Sequence, residues 1–149
     1  MKKSILVLLL VTAFKKSSAQ VSIGYFPFQS LLSITSSTEK IFWADFKLEA
    51  NTFASNLNME ISPKINFKRT DCVNYYVGPG WAFNPTNAYA DATITNGYFL
   101  DFGARIKPLS NWRNLQLVFE LSPYVNNDFT GGNFRARLGI AWNFGKSKI

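Results

Sequence analysis

The chain has 149 residues, 47% of them hydrophobic and 16% aromatic, which suits one compact domain and is too apolar for a disordered one. Its net charge of +7 is largely a property of the first twenty residues, where Lys2, Lys3, Lys15 and Lys16 lie; the rest carries 12 basic against 9 acidic side chains, a net +3 without a basic stripe, so nucleic-acid binding has no support. With no histidine and one cysteine, Cys72, the chain lacks an internal disulfide, Ser-His-Asp and Cys-His catalytic arrangements, and a ligand set for zinc or copper.

In chain order, the opening "MKKSILVLLLVTAFKKSSAQ" has two lysines, an apolar run from Ile5 to Phe14 and small residues at 17–19. This is the layout of a secretory signal peptide, with cleavage expected after Ala19, so that 1–19 is the signal and 20–149 a barrel domain. Ten apolar residues are short of the ~20 that cross a bilayer as a helix. Lys15 and Lys16, close to the cut, keep a retained anchor open as the alternative.

Beyond this segment the chain reads as all-β. The stretch 21–37 is one long strand or two short ones folded around Pro27–Ser30, and two are expected because proline and polar residues break the pattern there. Six clearer strands come next: 44–51, extendable back to Ile41, then 57–68, 73–83, 98–108, 115–125 and 134–144, for a total of eight. Turns at 36–39, 69–71 and 110–114 fall on one side, and connections at 52–55, 84–96 and 126–133 on the other, so the longer loops share a rim. That asymmetry and an even strand number are features of single-chain outer-membrane barrels. Pro63 and Pro79 sit mid-strand, where each lacks a ladder donor, and bulges are expected there.

The segment "LNMEISPKINFK" (57–68) alternates without a break, with Leu57, Met59, Ile61, Pro63, Ile65 and Phe67 on one side and Asn58, Glu60, Ser62, Lys64, Asn66 and Lys68 on the other. Alternation alone does not say which face is wet. Four features together place the charged face inside. The apolar face of the six clear strands carries no charge, whereas Asp45, Lys47, Glu49, Glu60, Lys64, Asp101, Arg105, Lys107, Glu120, Arg135 and Arg137 share the other. Eleven residues at ~3.3 Å each, tilted by ~40°, span roughly 28 Å, near the ~25 Å apolar band of a membrane barrel. Aromatics such as Phe42, Phe67, Tyr75, Trp81, Tyr98, Phe134, Trp142 and Phe144 gather toward the ends of the apolar face, where interfacial rings belong. Gly78, Gly80, Gly103 and Gly139 lie on the charged face, and their missing side chains leave room for long Arg, Lys and Glu in a narrow lumen. An eight-stranded antiparallel up-and-down transmembrane β-barrel is the fold expected.

The closing run "RARLGIAWNF" (135–144) alternates apolar residues and ends in an aromatic, and with the export signal and the eight strands it resembles the small outer-membrane barrels of the OmpA/OmpX kind. The chain departs from that pattern by running past Phe144 and by compressing its first two strands. The resemblance implies residence in the outer membrane of a Gram-negative-type cell, contact with outer-membrane lipid, and recognition of Trp142 and Phe144 by the barrel-assembly machinery.

No catalytic, cofactor or metal site is expected, and the protein is read as non-enzymatic. The set Glu60, Lys64, Asp101, Arg105, Glu120, Arg135 and Arg137 is expected to form a structural ion-pair network in the lumen, with Glu120 near Arg105 or Arg135. Loops 84–96 and 126–133 are the candidate surface for an extracellular partner. The leading functional reading is an envelope component or loop-mediated binding surface. The alternative is an exported soluble β-barrel or sandwich that binds an apolar small molecule, and a small channel or lipid-modifying enzyme is a weaker third.

Overall fold

A computed structural model describes residues 20–49 and 57–145. They form a closed barrel of eight antiparallel strands in chain order: β1 (Ser22–Phe26), β2 (Leu31–Thr35), β3 (Phe42–Glu49), β4 (Met59–Arg69), β5 (Val73–Phe83), β6 (Thr95–Ile106), β7 (Leu115–Asn126) and β8 (Gly132–Asn143), with β8 pairing back onto β1. The expected architecture and strand count are observed, including two short N-terminal strands. Their turn is closed by Gln29 N–H donating to Phe26 O at 3.3 Å, with Ser30 in the left-handed region at φ 50°. The signal segment 1–19 and the turn expected at 52–55 lie outside the described residues. Of the connections on the rim expected to carry the longer loops, 84–94 is the longest described and holds a 3-10 turn at Pro85–Ala90 capped by Asn84. By contrast, 127–131 is shorter than 36–41 and 107–114 on the opposite rim, that of the expected short turns, so the expected difference in length holds for 84–94 alone among the described residues.

Burial follows the period of two. Along β4, Glu60, Ser62, Lys64 and Asn66 are buried, while Ile61, Pro63, Ile65 and Phe67 are exposed. Closure turns one face of every strand into a lumen and gives every strand a partner on both sides, although β1 reaches only the last part of β8. Phe144 N–H donates to Val21 O at 2.8 Å, continuing the β1–β8 seam one residue past β8.

The expected bulges at Pro63 and Pro79 are not found. Ile61 faces Trp81 and Ile65 faces Val77, so the rung midway between them sets the two prolines opposite each other in unbroken register. A strand residue directs its N–H and C=O toward one neighbour only, so the two missing donors coincide in a single gap. On their other sides Pro63 and Pro79 pair regularly with Ala44 and Leu100. The Ser62 hydroxyl donates to Pro79 O at 2.6 Å, supplying a proton where the ladder lacks one.

The irregularity in this strand pair lies higher up. Asn66 faces Tyr76 but Lys68 faces Tyr75, so Phe67 is an extra residue. Both Phe67 and Lys68 are thereby exposed, and Lys68 leaves the inner face that simple alternation assigns to it.

The inward glycines serve rings more than long charged chains. Phe99 lies over its ladder partner Gly80, Tyr76 over Gly103, and Phe26 over Gly139, where an added Cβ would stand 2.7 Å from the ring. Only Gly78 borders a lysine stem, that of Lys64. Removing the Cβ lets an aromatic lie flat against the neighbouring strand, so the lumen is filled by rings and ion pairs interleaved.

Candidate functional site

The side chains that could do chemistry converge in the lumen. β4 contributes Glu60 and β8 contributes Arg135 and Arg137, two residues apart and therefore on the same face. Arg137 grips Glu60 with both guanidinium arms, Nη1 to Oε2 at 2.9 Å and Nη2 to Oε1 at 2.8 Å, and Arg135 Nη1 donates to Oε1 at 2.7 Å. Arg135 also donates to the Ser122 hydroxyl at 3.0 Å and stacks near Phe99 and Tyr124, 5.2 and 4.7 Å from the ring centroids. Such charge-assisted, bidentate contacts are the strong kind of hydrogen bond.

Deeper in the barrel the arrangement inverts. Lys47 of β3 lies 3.3 Å from Asp45 Oδ2, 3.1 Å from Asp101 Oδ2 and 2.8 Å from Glu120 Oε2, drawing carboxylates from β3, β6 and β7. Lys64 of β4 donates to the same Asp101 oxygen, and Ser33 donates to Asp45 Oδ1 at 2.8 Å. Lys47, Lys64, Asp101 and Glu120 are each exposed by 1% or less. Toward the short turns, Arg105 donates to Gln116 Oε1 at 3.2 Å and stacks on Trp43, with its guanidinium carbon 5.0 Å from the ring. Glu39 closes that end from the β2–β3 turn, taking Lys107 Nζ at 2.8 Å, Asn74 Nδ2 at 3.3 Å and Gln116 Nε2 at 3.4 Å.

All seven residues expected in the lumen network point inward, but their pairing differs from the expectation for Glu120. The ladder sets Glu120 opposite Arg137 and Gly103, and its carboxylate is taken by Lys47. In a narrow barrel a long side chain meets the opposite wall as readily as the next strand, and strand register alone does not reveal those partners. Lys47 and Asp45 share the alternation signal of the seven and belong to the same network. Glu39 carries no such signal, since it sits in a turn. Trp142 and Phe144 face outward and are exposed.

Chemically, the lumen is a packed plug of paired charges. Asp45, Glu60, Asp101 and Glu120 each have a cationic partner, Glu49 at the notch takes the Asn58 amide instead, and among the described residues no group of three or more Asp, Glu, Cys or His is placed to hold a metal ion. The ions reach the outside where the barrel wall is lowest. β1 pairs with β8 only over Ile140–Asn143, although β8 begins at Gly132. Above the β1–β2 turn this leaves a notch of about 260 Å³ lined by Gln29, Glu49, Asn58, Glu60, Arg135 and Arg137. Gln29 Nε2 donates to Ala136 O at 3.1 Å, satisfying one β8 carbonyl in the stretch that β1 does not reach.

No family model matches the chain, and no curated protein matches it. Among solved structures, a chain described under "De novo design of transmembrane beta-barrels" is similar over 84% of this chain and 92% of its own length, with 19% identity and a TM-score of 0.49.

Proposed function

We propose that the chain is a non-enzymatic integral outer-membrane β-barrel of the OmpA/OmpX-like kind, delivered by a signal peptide over 1–19 to the envelope of a Gram-negative-type cell. The observation that carries this reading is the inverted placement of polarity. Ile23, Ile34, Ile61, Phe102, Phe119, Leu138 and Ile140 are each 41–54% exposed on the outer wall, while Glu60, Lys64, Asp101 and Glu120 are 1% or less. In water this would leave a large continuous apolar belt uncovered, whereas a bilayer covers it. Phe67, Tyr75, Trp81, Tyr98, Phe134 and Trp142 stand exposed toward the two ends of that belt, where ring edges suit the headgroup boundary. A soluble carrier of an apolar ligand would need these rings around a cavity, and they face the other way.

On this reading the ion network is structural, fixing register and filling a lumen too narrow for a water column. Function then resides on the loop rim, in 84–96, 126–133 and the notch below them, as a surface for an extracellular partner. Trp142 and Phe144 are the features offered to the barrel-assembly machinery, and outer-membrane lipid is the constant partner. The test is extraction of the chain from membranes followed by electrophoresis in SDS with and without boiling. A membrane barrel migrates faster unboiled, because the closed sheet resists SDS until heated. A mature chain that stays monomeric in buffer without detergent would overturn the assignment.

A further inference from the structure

We infer that one sector of the short-turn rim, around β3, β4 and β5, is a binding surface for the anionic headgroups of phospholipids; this rests on the membrane-spanning reading above. Three Lys or Arg residues are exposed rather than buried or half-buried among the described residues, and all three, Lys40, Lys68 and Arg69, lie in this sector. The loop rim's exposed charges among the described residues are the acidic Asp91 and Asp128. Asn66 N–H donates to Ile41 O at 2.8 Å, which sets the turn carrying Lys40 against the end of β4, and Arg69 Nη1 donates to Glu39 O at 3.0 Å across the same junction. The ammonium groups of Lys40 and Lys68 make no hydrogen bond or ion pair among the described residues. Of the nearby acids, Asp71 is exposed, and the Glu39 carboxylate is held by Lys107, Asn74 and Gln116.

The β4 bulge builds this surface. Were Phe67 paired with Tyr75 in regular register, Lys68 would face Asn74 and point into the lumen; with Phe67 bulged, Lys68 sits opposite outward-facing Tyr75 at the end of the apolar belt. Phe67 stacks on Tyr75 with ring centroids 6.3 Å apart, and Phe42 is 70% exposed on neighbouring β3. A cleft of about 580 Å³ bounded by Ile41, Phe67, Arg69 and Thr70, with Glu39 and Asp71 also on its lining, opens beside them. Exposed rings at glycerol depth, with unpaired cations just above, match a phosphodiester whose acyl chains lie along the barrel wall.

The test reconstitutes the barrel into phosphatidylcholine bilayers with and without phosphatidylglycerol, and measures the lipid retained after gentle detergent extraction. Unboiled gel mobility checks that each variant is folded. Phosphatidylglycerol is expected to be enriched over phosphatidylcholine, with the enrichment falling about fivefold in Lys68→Gln and further in Lys40→Gln/Lys68→Gln/Arg69→Gln. A barrel that folds in phosphatidylcholine but shows no preference for phosphatidylglycerol would overturn the headgroup surface and leave the span standing. A preference that survives in the triple variant would also overturn it. A chain that enters neither bilayer and remains monomeric in buffer would remove the membrane reading itself.

Discussion

Two clusters share the lumen and are built as opposites. At the loop end one anion, Glu60, is shared by two guanidiniums; in the middle one cation, Lys47, is shared by three carboxylates, with Lys64 supporting Asp101 alone. They differ in their access to water. The Arg135 side chain is 21% exposed at the notch, whereas every charged group of the Lys47 cluster is within 2% of full burial. Burying ions is costly, and the mutual attraction offsets that cost only if all partners are present, so a hub without relief from solvent should be the less forgiving one.

The largest expected effect is therefore at Lys47. Lys47→Met keeps most of the side-chain volume but leaves Asp45 and Glu120 without a cation, and a loss of about 3–5 kcal/mol is expected. It would be read as a large drop in the temperature at which the unboiled gel form converts to the slow one, or as failure to refold. Glu60→Gln removes the opposite hub. Its amide oxygen can still accept one guanidinium N–H and Arg135 can turn toward the notch, so a smaller loss of about 2–3 kcal/mol is expected, measured as the shift in urea midpoint in micelles. Equal losses in the two variants would break the proposed difference between the clusters.

A third substitution separates charge from packing. Gly103→Val removes no charge, but its side chain would occupy the space of the Tyr76 ring, which borders the Lys64 ammonium at 5.6 Å from the centroid. Displacing that ring should cost about 1–3 kcal/mol in the same urea titration, with no change in salt dependence. The double variant Gly103→Val/Tyr76→Ala should recover part of the loss. If Gly103→Val is neutral, the interleaving of rings and glycines has little structural weight.

The strands, their order and the inward turn of the charges were legible because each rests on period-two alternation, which a barrel preserves along every wall. The short first hairpin was legible from Pro27 and the polar residues after it. Three features were not. The proline pair depends on the register between β4 and β5, and neither strand's sequence states that Pro63 and Pro79 meet. The bulge at Phe67 leaves no composition signal, so Lys68 reads as lumenal until its pairing with Tyr75 is known. The partners of Glu120 and Glu60 lie across the lumen, a relation set by barrel curvature that pairwise strand logic omits.

The finest contrast lies within the Glu60 cluster itself, between Arg137 and Arg135. Arg137 makes two of the three contacts to Glu60 and its side chain is 4% exposed; Arg135 makes one and is stacked against Phe99 and Tyr124. Arg137→Leu should cost about 2 kcal/mol, because Glu60 would keep a single partner in a dry site. Arg135→Leu should cost about 1 kcal/mol, since the bidentate Arg137 contact stays and a leucine can still cover the Phe99 ring. Both shifts are measurable as conversion temperatures on unboiled gels, and the Arg135 effect alone should shrink with added salt, because only that guanidinium meets solvent. An unchanged conversion temperature in Arg135→Leu would mean that this arginine is not part of the scaffold, leaving it as a charge presented at the notch.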